Sequence, residues 1–408
     1  MSEPSPILFV TRYFWPELIG SAPFTSDIAE WLAKEGRQLT VLSGLPHYPG
    51  TTVFPAYQGG RLQHETMGNV VVERVHSGPP QRTSALARIL NEAGFLVRGL
   101  GALVSGRVKR HPVVLALCPS ILCVVLALAA RQRGGSAIAI VHDIQSGLAE
   151  QLGINGHALA RLMRWVEKAT LDRVDLVVVL SQEMKDQLRR IGVTAPIDVV
   201  PLWVDTDEIQ PIQPIEPTVR PAIKVLYSGN LGRKQGLGQV VEMAEQLARC
   251  RPEIEIVLRG NGNQAQELIA DIARRRLENV HLAELQPNDS LATALAAGDI
   301  HLVPQNPQAA AFAVPSKVYN IMAVGRPFVA TALPDSTLWH LAKQSGAFLC
   351  VPPNEPLSFT EAVVKLADDP QLRLELGRRG REFVEQHYAK PLILSAFSSR
   401  LDALVAGR

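Results

Sequence analysis

Three basic side chains and one imidazole stand where chemistry could be done. Lys317 lies in the run Ala313-Val314-Pro315-Ser316-Lys317-Val318-Tyr319-Asn320, between apolar strands at Ile300 to Val303 and Phe328 to Ala330. Ser316 reads as an N-cap, and Val318, Ile321 and Met322 recur behind it at helical spacing. A helix N-terminus presents free backbone N–H groups to an anion. A lysine in that first turn opposes the helix dipole unless an anion lies beside it. A phosphate or diphosphate ligand accounts for Lys317, and so does an ordinary capped helix with a solvated lysine.

Lys234 and Arg233 close the glycine-punctuated loop Gly229-Asn230-Leu231-Gly232-Arg233-Lys234, after the strand Lys224 to Ser228. Ligands of doubly wound sheets sit outside such carboxyl ends, where a cation can neutralise a bound anion; Arg233 reads equally as a solvated loop residue. His142-Asp143 ends the strand Ala137 to Val141. A lone histidine there is functional or structural, and Asp143 either orients it or caps the next segment. Gly20-Ser21 precedes the first helix and permits close approach of a ligand to its N-terminus. Tyr13, Phe14 and Trp15 could stack on a flat ligand face or pack between loops. His47-Tyr48-Pro49 follows the second strand on the same rim. Gly260-Asn261-Gly262 also follows a strand, but a bare Gly-x-Gly is a weak dinucleotide signal.

The elements that must hold these residues alternate strand and helix, which implies parallel sheets. In the first half the strands are Ile7 to Thr11, Leu39 to Leu42, Val70 to Val75, Val113 to Leu117, Ala137 to Val141, Leu176 to Leu180 and Asp198 to Pro201. Thr25 or Ser26 is expected to cap a first helix ending at Gly36. Residues 205–222 carry Pro211, Pro214, Pro217 and Pro221 with little apolar periodicity, a linker signature. The alternation then restarts with Lys224 to Ser228, a helix from Leu237 to Cys250, and strands at Ile254 to Arg259, His281-Leu282, Ile300 to Val303, Phe328 to Thr331 and Phe348 to Val351. A helical tail covers Phe359 to Ala367, Arg373 to Gln386 and Pro391 to Leu404.

Composition bounds the answer. A chain of 408 residues, 47% hydrophobic and 20% charged, is globular and long enough for two domains. A formal charge of +2 gives no argument for a nucleic-acid partner. Cys118, Cys123, Cys250 and Cys350 lack zinc-type spacing and read as small core hydrophobes in a reducing, cytoplasmic setting. No metal site is expected. The N-terminus has no basic n-region, so no signal peptide is read there. The uncharged run Val113 to Ala130 is divided by Pro119-Ser120 into a strand and a helix, the helix expected to end in Arg131-Gln132-Arg133-Gly134-Gly135. Residues 82–110 carry Arg82, Arg88, Arg98, Arg107, Lys109 and Arg110 against the single acid Glu92. Leu86, Ile89, Leu90, Ala93, Val97, Leu100 and Val104 mark one helical face, with Phe95, Leu96 and Leu103 largely off it. Such a helix either lies on an anionic membrane surface or packs on the core with solvated arginines.

The Ala313 to Pro327 run resembles the donor-binding segment of family 4 glycosyltransferases, in the branch of colanic-acid and O-antigen fucosyl- or fucosaminyl-type transferases. Four further segments agree in order: Ile7 to Glu17, Gly44 to Pro49, Val141-His142-Asp143, and Tyr227 to Leu237. The resemblance covers essentially the whole chain. It implies an α/β, GT-B-type fold of two doubly wound Rossmann-like domains facing across a cleft. An acceptor-side domain would span 1–204 with a crossover helix at 388–408, then a linker at 205–222 and a donor-binding domain at 223–387.

The implied activity is retaining, metal-independent transfer of a hexose or deoxyhexose from a UDP- or GDP-sugar to a lipid-linked or growing exopolysaccharide or O-antigen acceptor. The donor is a substrate, and no cofactor is implied. Lys234 matches the family's diphosphate lysine, and His142 a contact to the donor sugar near its reacting end. Gly20, Ser21, Gly229, Asn230, Arg233, Gly260, Asn261, Gly262, Leu285, Phe312, Ala313, Val314, Ser316 and Asn320 fall on donor-binding segments. The chain departs from the family twice. Asn230 stands where many members carry arginine, and Phe312 and Asn320 replace a pair of glutamates. Asn320 can still bond a ribose hydroxyl, whereas Phe312 cannot accept from a sugar hydroxyl. Either activity is lost, or Lys317 and backbone groups take the first glutamate's place and Phe312 meets an apolar feature such as a 6-deoxy methyl. Peripheral contact with the cytoplasmic face of the inner membrane through 82–110 would suit such an acceptor. A nucleotide-sugar 2-epimerase and a non-catalytic nucleotide-sugar-binding scaffold share the architecture. A dinucleotide oxidoreductase does not fit, because no Gly-x-Gly-x-x-Gly follows the first strand.

Overall fold

The computed structural model describes residues 5–18, 20–47, 52–59, 63–76, 85–118, 120–144, 157–212, 223–232, 235–284, 291–306 and 315–407. The chain divides into two compact units, Met1–Pro201 with Leu394–Arg408, and Leu202–Ile393.

The first unit is an eight-stranded sheet in the order β3-β4-β2-β1-β5-β6-β7-β8. Its strands are β1 (Ile7–Val10), β2 (Leu39–Gly44), β3 (His64–Met67), β4 (Val70–Val75), β5 (His111–Cys118), β6 (Arg131–Val141), β7 (Leu176–Val179) and β8 (Ile197–Val199). All pair in parallel except β3, which joins β4 as an antiparallel edge. The central strands are buried on both faces, as a parallel sheet covered by helices requires. The helices are α1 (Ala22–Lys34), α2 (Ala85–Val104), α3 (Ile121–Ala130), α4 (His157–Leu171) and α5 (Gln182–Arg190). The connections β4-α2-β5, β5-α3-β6 and β6-α4-β7 all step along the sheet in one direction, so right-handed crossovers place α2, α3 and α4 on one face.

The uncharged run at 113–130 is β5 followed by α3, which Ser120 caps by accepting from Leu122 N at 3.3 Å. No described helix is long and apolar enough to cross a membrane. Arg131 to Gly135 is not the tail of that helix. It opens β6, whose register with β5 shifts between His111 and Val113, with Gly134 at a positive φ of 79°.

The second unit is a six-stranded parallel sheet in the order β11-β10-β9-β12-β13-β14. Its strands are β9 (Lys224–Ser228), β10 (Glu255–Arg259), β11 (Val280–Ala283), β12 (Ile300–Val303), β13 (Phe328–Thr331) and β14 (Leu349–Val351). The helices are α6 (Gly238–Cys250), α7 (Ala265–Arg275), α8 (Leu291–Ala296), α9 (Lys317–Ala323), α10 (Thr337–Ser345), α11 (Pro356–Asp368) and α12 (Pro370–His387). Val225, Tyr227, Leu258, Leu302 and Val329 share a core with Val240 and Leu247 of α6 and Phe359 and Leu366 of α11. Helix α12 lies close on α9, because a side chain at Gly377 would fall 2.2 Å from Gly325 O. Residues 204–205 belong to this unit, where Val204 bridges Ala389 and Lys390 Nζ reaches Asp205 at 3.1 Å.

The last helix, α13 (Lys390–Ala406), passes from the second unit into the first. Within the first unit, Asp402 of α13 receives Arg37 Nη2 at 2.8 and 2.9 Å, and Ser398 receives it at 3.0 Å.

Candidate functional site

In the second unit the loops leaving β9 and β10 are stacked backbone on backbone. Gly229 N donates to Arg259 O at 2.9 Å, Leu231 N to Asn261 O at 2.9 Å, and Gln264 N to Leu231 O at 2.9 Å. Gly229 and Gly260 have φ of 146° and 152°, and a Cβ at Gly260 would lie 1.8 Å from Gly229 O. Only glycine permits this approach. Asn261 Oδ1 accepts from Gly262 N at 2.7 Å, and Asn230 O accepts the Tyr227 hydroxyl at 2.6 Å. Asn230, Asn261 and both flanking glycines thus sit at the carboxyl ends of adjacent strands, and their backbone pairs the two loops.

Lys317 is the first residue of α9, and its stem folds back over β9. Its ammonium lies 3.8 Å from the centroid of the Tyr227 ring and 3.5 Å from where a Gly229 side chain would begin. Nζ is shut off from water and has no hydrogen-bond partner among the described residues. Burial pulls its pKa from the usual 10.5 down to about 7. A cation over an aromatic face gains about 1–2 kcal/mol. That is less than the desolvation cost behind a shift of this size, on the order of 5 kcal/mol. An anion beside Nζ would offset that cost. Among the described charged groups of neighbouring elements, Arg259 and Arg326 are cations, and His301 is held neutral by burial with its pKa near 3. Each acts on the same side as desolvation or not at all.

Ser316 does not cap this helix. It is itself in the αR region (φ −54°, ψ −29°), its side chain caps nothing, and the first turn closes through Val318 N to Pro315 O at 3.1 Å. A helix of only seven residues brings little dipole to a ligand, so the lysine side chain rather than a capped N-terminus marks the site. Asn320 is half-buried on the same helix and its carbonyl accepts Val324 N at 3.1 Å. Arg233, Lys234, Leu285, Phe312, Ala313 and Val314 lie outside the described residues.

In the first unit a second group of residues gathers at the carboxyl ends of β1, β2 and β6. His142 follows β6, its amide bonded to Cys118 O at 3.2 Å and its ring edge-on to Phe24 at 5.9 Å. Burial pushes its pKa down to about 4. It is a neutral hydrogen-bonding group and no cation at ordinary pH. Gly20 has φ 74°, and Ser21 stands at the N-cap position of α1 with no side-chain cap. Thr25 and Ser26 are not caps either. Their hydroxyls donate to Ala22 O inside the helix at 2.8 and 2.9 Å.

Glu17 ties this group together, a role the sequence motif contains without announcing. Its buried carboxylate accepts Phe14 N at 3.2 Å and His47 N at 2.8 Å, so one side chain pins the loops after β1 and β2. His47, expected on an open rim, is buried; Nδ1 lies 3.0 Å from Leu45 O and its ring sits 5.8 Å from Tyr13. Arg12 is likewise buried. It bonds Asn91 Oδ1 at 3.1 Å and pairs with Glu92 at 3.8 Å, anchoring α2 to the end of β1.

Two family descriptions match, the glycosyl transferase 4-like domain over residues 20–203 and the glycosyl transferases group 1 over 222–369. A relative from Escherichia coli (strain K12), WcaI, named for a glycosyl transferase of colanic acid biosynthesis, is 30% identical over 398 residues, covering 94% of this chain and 96% of its own. The chain is a family 4 glycosyltransferase. Its fold is of the GT-B type. Sucrose-phosphate synthase from Thermosynechococcus elongatus aligns with a TM-score of 0.78 at 17% identity, over 99% of this chain and 100% of that one. Anabaena Alr3699/HepE in complex with UDP-glucose aligns with a TM-score of 0.70 at 16% identity, over 98% and 100%. The glycosyltransferase thus carries its stacked glycine loops and Lys317 in the group 1 match and His142 in the 4-like match, with Glu17 three residues before the latter begins.

Proposed function

We propose that this glycosyltransferase moves a hexose or deoxyhexose, with retention and without a metal, from a UDP- or GDP-sugar to a lipid-linked or growing exopolysaccharide or O-antigen acceptor. The observation that carries the reading is the enclosed Lys317 ammonium, without an acceptor among the described residues, beside the close-packed Gly229 and Gly260 loops. A diphosphate supplies the missing counter-charge, and the glycines let its oxygens approach the backbone. Lys234 joins Lys317 in neutralising the leaving nucleoside diphosphate, with Arg233 beside it. Gly260, Asn261, Gly262 and Leu285 form the base side, and Asn320 bonds the ribose. Phe312, Ala313, Val314 and Ser316 line the sugar and phosphates.

In the transfer step the bond from the anomeric carbon to the donor phosphate oxygen breaks as the bond to the acceptor oxygen forms on the same face. The acceptor proton passes to the donor phosphate oxygen, so no protein base is required. His142, neutral, hydrogen-bonds the sugar. Gly20 and Ser21 receive the diphosphate or acceptor from the α1 side. The naming of WcaI for colanic acid biosynthesis supports a polysaccharide acceptor. Contact of 82–110 with the cytoplasmic face of the inner membrane fits a lipid-linked one. An epimerase would need carboxylates free to move protons, and the buried Glu17 is already bonded to two backbone amides.

The test is a donor screen of purified protein against UDP- and GDP-sugars, with and without a lipid-pyrophosphate-sugar acceptor, in EDTA. Turnover of one donor that collapses in Lys234→Ala supports the reading. Binding of nucleotide with no turnover of any donor favours a scaffold, with Phe312 and Asn320 marking a lost activity.

A further inference from the structure

Helix α2 is turned the opposite way from a core helix. Phe95 and Ala102 face the core and Gly99 lies against Leu126 of α3, whereas the more regular apolar face looks outward. Leu90, Val97 and Val104 are 63%, 67% and 89% exposed, one every second turn. Helix α4 does the same, with Leu162 and Trp165 exposed at 54% and 65%. Helix α3 packs on both of them. Its uncharged sequence leaves Leu122, Val125 and Leu128 only half-buried between them. The crossovers put all three helices on one side of the sheet. Together they present an apolar face across three elements, larger than the scattered single hydrophobics of an ordinary surface.

Every described charge exposed on these three helices and just beyond α2 is positive: Arg98 on α2, Arg107, Lys109 and Arg110 beyond it, Arg161 and Arg164 on α4. The acids of the same helices are turned inward. Glu92 pairs with Arg12 and Glu167 is buried. Exposed tryptophan and leucine beside arginine is the composition of a segment lying in a bilayer interface. A soluble partner would not require the acids to be absent, but an anionic lipid surface does.

We propose that α2, α3 and α4 form one docking surface for an anionic lipid bilayer, with Trp165 and Leu162 as its second anchor. This extends the membrane contact of 82–110 proposed above to a helix of different sequence, and it does not depend on which sugar is transferred. The arginines draw the face to the headgroups, Leu90, Val97 and Val104 enter on one side, and Trp165 sits at the headgroup level on the other.

The test is co-sedimentation of the full chain with phosphatidylglycerol-containing vesicles and with phosphatidylcholine vesicles, alongside tryptophan emission. Wild type should bind the anionic vesicles, weaken as salt rises, bind phosphatidylcholine poorly, and shift its emission to the blue. Leu162→Ser with Trp165→Ser, and separately Val97→Ser with Val104→Ser, should each lower binding at least about tenfold, as losing two interfacial anchors would. Trp165→Phe should bind but lose most of the blue shift. These positions are exposed, so unchanged thermal unfolding will show that the variants fold. Binding by α4 variants equal to wild type overturns the proposal. So does absence of vesicle binding together with a dimer that the same variants dissociate, which would assign the face to a second copy of the chain. Vesicle binding without sugar transfer would leave the surface standing and sink only the transferase reading.

Discussion

Lys317 Nζ stands 3.8 Å above the ring of Tyr227, enclosed, with no oxygen among the described residues to receive it. The pair joins the start of α9 to the end of β9, and it makes the folded protein pay for a charge it does not use until a ligand arrives. Lys317→Met keeps the stem and removes that charge. Nucleotide-sugar or nucleoside diphosphate affinity should fall at least about tenfold, the loss of one charge-assisted contact. Titration calorimetry checks this, and affinity equal to wild type would contradict the role given to Lys317.

The same pair predicts a pH dependence of stability. The folded pKa is lowered to about 7 against 10.5 unfolded. Below about 7 both states hold the proton, and the full cost of burying the ammonium is present. Between about 7 and 10.5 the unfolded state binds the proton and the folded state sheds it, so the cost shrinks as pH rises. Lys317→Met should therefore be more stable than wild type at pH 6, with the gap narrowing toward pH 9. Urea unfolding at both values measures it; a gap independent of pH contradicts the burial.

Nucleotide binding should respond with the opposite preference. A diphosphate beside Lys317 favours the ammonium, so binding takes up a proton when it occurs above about pH 7. Affinity should decline as pH rises through that range, by at most tenfold per unit, and the decline should vanish in Lys317→Met. Calorimetry in two buffers of different ionisation enthalpy counts the proton directly.

His142 is predicted to work uncharged. With its pKa near 4, it contributes no limb to the rate profile between pH 5 and 8. His142→Phe should keep the packing against Phe24 and slow transfer roughly tenfold, as expected for one lost hydrogen bond. A profile limb near pH 6.5 that disappears in this variant would show a titrating histidine instead.

Gly260 tests the loop stacking. Its φ of 152° and the 1.8 Å approach to Gly229 O leave no room for a methyl group. Gly260→Ala should cost at least about 2 kcal/mol of stability or force the two loops apart, with loss of nucleotide binding. An alanine variant that binds and unfolds like wild type would refute the packing described.

Strand positions were legible in the sequence because buried parallel strands are continuous apolar runs, as at Val225 to Tyr227 and Ile300 to Val303. β3 was not, since His64-Glu65-Thr66-Met67 is an edge strand with mostly polar faces. Helix caps failed where hydroxyls had a competing local acceptor, as Thr25 and Ser26 do in Ala22 O. The periodicity of α2 identified a face, but periodicity alone does not say whether that face meets core or solvent, and here Val97 faces out while Phe95 faces in. The residues around the site were legible as motifs. What escaped was long-range pairing: that Lys317 would find Tyr227 some ninety residues away, and that Glu17 would hold His47, depends on strand order.

The most direct measurement is product analysis with purified protein, a panel of UDP- and GDP-sugars, a lipid-pyrophosphate-sugar acceptor and EDTA, with the anomeric configuration read by NMR. One donor should be consumed, its anomeric configuration kept in the product, with turnover that collapses in Lys234→Ala and drops in Lys317→Met. Inversion of the anomeric centre, dependence on a divalent metal, or tight nucleotide binding with no donor turned over would contradict this.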